Sequence, residues 1–235
     1  MIKEALEYII GLREAKVIDV DGEKYLTNSC HKIKKPIVDC PFTTTTLQGV
    51  VDYIKNNIDT EIVGNGFTVH IESPSKVTVY SKLNKDRRRE ILLKAIAIVP
   101  NFPTDRYMDA EMFNIQLLSK FVPTDSLRTI MQLAGTIKEG SEQEVADDGI
   151  TQRVTAKAGI ARYEDIEVGN PFKLTPFRTF PEVEQPSSLF IFRIRKGPEC
   201  ALFDCGDTYW RNEAMNGIKE FLTKNLEDCN VNIIM

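Results

Sequence analysis

Between residues 43 and 80 the spacing of apolar residues changes from a helical period to a strand period. In TTTTLQGVVDYIKNNI, Leu47, Val50, Val51, Ile54 and Ile58 recur every three or four residues behind a threonine that can cap a helix. Phe67, Val69 and Ile71 then alternate with Thr68, His70 and Glu72. Val77 and Val79 alternate with Thr78 and Tyr80, and Ser73-Pro74-Ser75 supplies the turn between the two runs. A helix followed directly by an antiparallel hairpin rules out an all-helical chain and does not start a regular strand–helix–strand repeat.

The rest of the chain keeps this irregular order. Residues 2–15 place Ile2, Ala5, Leu6, Ile9 and Leu12 on one helical face, and KVIDVDGEKYLT reads as a hairpin about Asp21-Gly22. Residues 28–42, with Pro36 and Pro41, read as irregular, and Ile91 to Val99 as a further strand ending at Pro100. Two helices are expected over 108–121 and 124–137, broken at Pro123, with Thr124 or Asp125 starting the second. Their buried stripes are read as Met112, Phe113, Leu117, Leu118 and Phe121, then Leu127, Ile130, Met131, Ala134 and Ile137. Residues 142–205 have no helical period and read as strands, with turns near Gly149, Gly159 and Gly169. Tyr209 to Leu226 returns to helix, capped by Asp207 or Thr208, with Trp210, Ala214, Ile218, Phe221 and Leu222 on its buried face. Val231, Ile233 and Ile234 close with a strand.

This order predicts an α+β fold: a mixed, mainly antiparallel sheet, several packed helices and a β-rich C-terminal half. The polar stretch EGSEQEVADDG suggests an N-terminal α+β region, 1–138, and a β-rich region closing with a helix, 139–235; the same stretch reads equally well as a long hairpin in one continuous domain.

Composition narrows the function. With 42% hydrophobic and 27% charged residues the chain is expected to fold, and a net charge of −4 argues against a general nucleic-acid binder. The longest apolar run, Ile91 to Val99, is interrupted by Lys94 and falls short of the ~18 residues of a membrane span. MIKEALEYIIGLREAK lacks the apolar region and cleavage site of a signal peptide, so a cytoplasmic protein is expected. The cysteines, Cys30, Cys40, Cys200, Cys205 and Cys229, are odd in number and form no CxxC pair, so reduced thiols and no metal are expected. His31, read as a loop residue, and His70, on the polar side of its strand, have no HExxH or triad spacing. No GxxxxGK[ST] or GxGxxG occurs, so no cofactor and no catalytic residue is assigned. The cluster from Lys85 to Arg89 could meet phosphate but reads first as a solvated connection between strands.

The stretch FKLTPFRTFPEVEQPSSLFIFRIR carries the candidate site. In SLFIFRIR, Phe190, Phe192 and Ile194 point to one face and Leu189, Ile191, Arg193 and Arg195 to the other. Ala201 and Phe203 are expected to continue the core face on the next strand, and Glu182, Glu184 and Gln185 to pair with the arginines. A charged face with interleaved Leu189 and Ile191 suits a subunit interface or a shallow ligand groove, against the plain alternative of a half-buried sheet with surface ion pairs. Were the ligand an anionic nucleotide, Arg178, Arg193 and Arg195 would meet its phosphates and Phe177 and Phe180 would stack on its base, with Glu182 and Glu184 competing as internal partners.

The runs TQRVTAKAGIARYEDIEVGNPFKLTPFRTFPEVEQPSSLFIFRI and ALFDCGDTYWRNEAMNGIKEFL resemble the YfdQ-like family of phage and prophage proteins. MIKEALEYIIGL and HIESPSKVTVYSKL are similar to its members in phages of Gram-positive hosts. The resemblance implies a phage protein made inside a bacterium and brings no catalytic residues with it. Some phage relatives carry an amino-oxononanoate synthase label; this chain is short for a pyridoxal-phosphate enzyme and shows no lysine in a cofactor motif. The expectation is a cytoplasmic accessory protein, more a binder than an enzyme, that forms a homo-oligomer and binds a host protein or a signalling nucleotide, with counter-defence as a plausible role. The alternatives are an enzyme acting on nucleotides or nucleic acid, and a helper of phage replication or recombination.

Overall fold

The computed structural model describes residues 2–13, 15–27, 31–32, 40–63, 66–85, 87–136, 146–147, 152–158, 162–195, 199–206 and 208–235; at 12–13, 31–32, 62–63, 136, 146–147, 152–158 and 162–168 it describes the backbone alone. The chain divides into two units, Met1–Asp39 and Cys40–Met235. The boundary expected near residue 138 falls inside the second unit, where one core joins residues from both sides of it.

The first unit holds α1 (Ile2–Arg13) and a small antiparallel sheet ordered β1 (Val17–Val20), β2 (Glu23–Leu26), β3 (His31–Lys32). The β1–β2 turn is the one the sequence announces. Asp21 and Gly22 both have left-handed φ, 55° and 77°, as a type I′ turn requires, and the Gly22 N–H donates to Asp19 Oδ1 at 3.0 Å. His31, expected in a loop, pairs with Leu26 on β2.

The second unit is built from two helix-covered sheets and a third, smaller sheet. The first sheet has the order β15-β5-β6-β7-β4: β4 (Phe42–Thr44), β5 (Phe67–Ser73), β6 (Lys76–Ser81), β7 (Ile91–Ile96) and β15 (Val231–Ile234). Its centre is antiparallel, while the edge strands β4 and β15 run parallel to β7 and β5. Phe67, Val69 and Ile71 are buried beside Val77, Val79, Leu93 and Ala95, in register on one face. Helices α2 (Leu47–Lys55) and α6 (Tyr209–Asn225) pack against this sheet and against each other, and α3 (Thr60–Val63) is one short turn before β5.

Helix α2 begins where the sequence places it, with Thr46 accepting the Gly49 N–H. Nine residues make a marginal helix in isolation. Burial of Leu47, Val50, Val51, Tyr53 and Ile54, at about 1.5–3 kcal/mol for each large side chain, is what holds it. On α6, Ala214, Ile218 and Leu222 are buried, whereas Trp210 and Phe221 are half-buried.

The second sheet is antiparallel, β12-β13-β14-β8: β8 (Met108–Asp109), β12 (Phe172–Leu174), β13 (Ser188–Arg195) and β14 (Glu199–Asp204). Helices α4 (Ala110–Lys120) and α5 (Asp125–Thr136) share a core with its Phe190–Phe192–Ile194 face. The Phe113 and Phe192 rings stack at 5.5 Å, and Phe121 meets Phe190 edge-on at 6.1 Å. Thr124 starts α5, its Oγ1 accepting the Leu127 N–H. The third sheet is β11-β10-β9, from β9 (Ala146–Asp147), β10 (Gln152–Ala158) and β11 (Arg162–Val168). Mixed and mainly antiparallel sheets with packed helices, strand-rich toward the C-terminus, make this an α+β protein, as the order of periods predicts. No helix among the described residues is long and apolar enough to cross a membrane.

Two expectations are corrected here. Ala201 and Phe203 do not continue the core face. The register sets Leu202 opposite Phe192 and Cys200 opposite Ile194, and directly paired residues share a face, so Cys200 and Leu202 enter the core while Ala201 and Phe203 lie with Arg193 and Ile191. On α4, Phe113, Leu117 and Phe121 are buried as expected, but Met112 and Leu118 are 45% and 62% exposed. With Ile115, 50% exposed, they form a second apolar stripe on the outward side. On α5, Leu127, Ile130 and Ala134 are buried; Ile137 lies outside the described residues.

Candidate functional site

Residues 175–187 connect β12 to β13 without regular pairing, because Pro176, Pro181 and Pro186 cannot donate to a ladder. Side chains replace the missing partners. The Gln185 Oε1 accepts the N–H groups of Arg178 (2.8 Å) and Thr179 (3.1 Å), while its Nε2 donates to the carbonyls of Phe180 (2.9 Å) and Val183 (3.3 Å). One amide thus closes the loop on itself. The start of the loop is held to the end of α4 by Val122 N–H to Thr175 O, 2.8 Å, and Phe177 N–H to Lys120 O, 2.9 Å. Thr179 donates its hydroxyl to Pro74 O, tying the loop to the β5–β6 turn.

Arg178 is an internal tie. Its Nη1 donates to Ser188 Oγ at 2.7 Å and its Nη2 to Asp204 Oδ2 at 3.3 Å, and its side chain is only 13% exposed. The guanidinium carbon lies 4.6 Å from the Trp210 ring and 5.4 Å from the Phe190 ring. Ser188 and Phe190 lie on the core-facing side of β13; Arg193 and Arg195 lie on the other. The structure therefore does not bring the three arginines together. Arg195 binds Glu199 and stacks on Tyr107 at 4.2 Å, with Tyr107 in turn 5.9 Å from Phe203. The expected partners Glu182 and Gln185 are engaged with backbone N–H groups; Arg178 meets Asp204, and Arg195 meets Glu199. Phe180 is fully buried, so it cannot stack on a base, whereas Phe177 is half-buried and reaches a groove.

Glu182 completes the start of α2. Its Oε1 accepts the Gln48 N–H at 3.1 Å, next to the Thr46–Gly49 cap. Its Oε2 is enclosed and accepts no hydrogen bond from the described residues; the partial positive charge of the helix N-terminus is what favours a carboxylate there.

Beyond Glu182 the loop divides two clefts. Pro181, Val183 and Phe177, with Thr46, Ile98 and Pro100, line an apolar groove of about 420 Å³. Glu182 and Glu184, with Glu213, Glu220, Phe221 and Lys224 of α6, line an open cleft of about 580 Å³. Val183 borders both. The sequence reading missed Ile98, Glu213 and Glu220. Glu213 and Glu220 are seven residues apart, so they fall on one face of α6, opposite Ala214, Ile218 and Leu222.

On the polar face of the first sheet, His70 is half-buried in register with Thr78, and Glu72 accepts both the Thr78 hydroxyl and an ion pair from Lys76. Burial pushes the Glu72 carboxyl up. The hydrogen bonds from Lys76 and Thr78 and the charges of Lys76 and His70 outweigh it, so the net displacement is below the usual 4.5. Cys40, Cys200, Cys205 and Cys229 are free thiols, and Cys30 lies outside the described residues. Arg87, Arg88 and Arg89 are exposed in the β6–β7 connection, as a solvated charge run would be. Among the described residues no three His, Cys, Asp or Glu side chains are grouped as a metal ion would need.

No protein-family model matches the chain, and neither a curated protein nor a solved structure matches it.

Proposed function

We propose that this protein acts by binding and self-association rather than by catalysis, as a phage-encoded accessory protein working inside a bacterial host, where countering host defence is the role it fits. The observation that carries the reading is helix α4. It is apolar on two sides: Phe113 and Leu117 are buried, and Met112, Ile115 and Leu118 are exposed at helical spacing. Three large apolar side chains left in water on one face of a helix mark an interaction surface, so the outer stripe calls for a partner. The stripe is symmetric about Ile115, so a two-fold axis there sets Met112 of one helix against Leu118 of the other. That is the geometry of an isologous contact between two copies of this chain. The engagement of Arg178 and Arg195 with Asp204 and Glu199 favours a protein over a nucleotide as the further ligand. The likeness to the YfdQ-like family supports the phage origin.

Native mass spectrometry of the full chain purified from expressing bacteria tests the reading. Even-numbered multimers are expected, and monomer alone would refute self-association.

A further inference from the structure

The two clefts divided by the loop 181–185 share Val183 as a common border. The geometry points to a peptide segment of another protein that presents an apolar side chain beside one or more lysines or arginines. The inference rests on the reading of this chain as a binder and names the partner's chemistry. Pro181 and Val183 join Ile98, Pro100 and Phe177 in the apolar groove, whose volume of about 420 Å³ admits side chains rather than a folded domain. Ile98 is 81% exposed, a large apolar side chain left in water at the groove's edge.

Across Val183 the chemistry reverses. Among the described residues that line it, four glutamates, Glu182, Glu184, Glu213 and Glu220, face one lysine, Lys224. One of them, Glu182, is fixed by its bond to the Gln48 N–H. The other three are exposed and project from a rigid helix or from a loop pinned by Gln185. Such a cleft repels phosphate and draws cations. Only a chain with apolar and basic residues in succession satisfies both sides of Val183 at once. The mode is side-chain capture in pockets, since the backbone N–H groups of Arg178, Thr179 and Gln48 are already bonded within the protein.

The test is selection of a random displayed-peptide library on the immobilised full-length protein, followed by calorimetry of the winning peptide. Wild type is compared with Ile98→Asp and with the double variant Glu213→Lys/Glu220→Lys. All three substituted positions are exposed, and circular dichroism checks that each variant keeps its fold. The winners are expected to place an apolar residue next to Lys or Arg, and each variant to bind at least about 10-fold more weakly. A peptide with its lysines changed to glutamate should prefer the charge-reversed protein. Enrichment of acidic peptides, no enrichment, equal affinity across the variants, or spermidine binding as tightly as the peptide would overturn the inference. Light scattering on the same samples separates the two readings. An oligomer that binds no such peptide refutes the partner chemistry alone, and a monomer that binds it refutes self-association alone.

Discussion

The Arg178 guanidinium lies 4.6 Å from the Trp210 ring while donating to Ser188 and Asp204, so a single side chain joins the 175–187 loop, β13, β14 and the start of α6. Two of these elements, the loop and α6, line the clefts around Val183. The arginine at the centre of the tie is only 13% exposed.

Arg178→Ala is therefore expected to destabilise the protein by about 2–4 kcal/mol, since it strands Asp204 and Ser188 and unstacks Trp210. Arg178→Lys keeps the charge and loses the fork and the planar stack, and should recover less than half of that. Urea unfolding followed by Trp210 fluorescence measures both. A change within about 0.5 kcal/mol for the alanine variant would place the tie among ordinary surface contacts.

Gln185 makes a more local test. Replacing it by Ala leaves the Arg178 and Thr179 N–H groups without their acceptor and takes one of two donors from the Phe180 carbonyl, in a part-buried loop. The expected loss is about 1–3 kcal/mol, with faster hydrogen exchange confined to the loop. Gln185→Glu keeps the acceptor but turns the donor into a second acceptor facing two carbonyls, and should be no better than alanine. Unchanged exchange in the loop would show that other contacts hold it.

How much of this was legible in the sequence depends on whether the signal is local. Thr46 and the α2 period lie within one turn of each other, and Asp21-Gly22 states its own turn, so both were readable. In SLFIFRIR, Arg193 and Arg195 on one side of the period-2 pattern and Phe190, Phe192 and Ile194 on the other made the faces readable. The next strand did not, because Cys200, Ala201, Leu202 and Phe203 are all apolar; only the register with β13 chooses between them, and a one-residue slip exchanges the faces. Helix α4 failed for the same reason, being apolar on two sides. Arg178–Trp210, Arg178–Asp204 and Glu182–Gln48 join residues far apart in the chain, and no local pattern in the sequence announces them.

Glu72 contributes to the acid dependence of stability. Its folded-state pKa lies below the unfolded value of 4.5, so its contribution to stability is present above pH 4.5 and is lost as pH falls through the folded value. Unfolding free energy should decline as the pH is lowered past that point, and Glu72→Gln should show a shallower decline. Identical slopes for the two proteins would mean that other carboxylates set the dependence.

The thiols should separate by burial. Cys200, at the centre of the second core, has its pKa pushed up to about 12 by burial and by Asp109, so it stays a neutral, enclosed thiol. Cys205 is exposed, though burial of its sulfur and the charge of Asp204 raise its pKa as well. Native maleimide labelling read by peptide mass spectrometry should modify Cys40 and Cys205, and Cys200 only after unfolding. Early labelling of Cys200 would show that this core opens readily.

Self-association through α4 is decided by light scattering of the wild type and of Leu118→Glu over a dilution series into the high micromolar range. Leu118 is 62% exposed, so a glutamate there leaves the fold intact while placing a charge in the outer stripe of α4. The wild type is expected to be a dimer or a multiple of it, and the variant to shift to monomer with an unchanged melting curve at low concentration. A wild-type protein that stays monomeric throughout, or a Leu118→Glu variant that associates as tightly as wild type, would contradict self-association through α4.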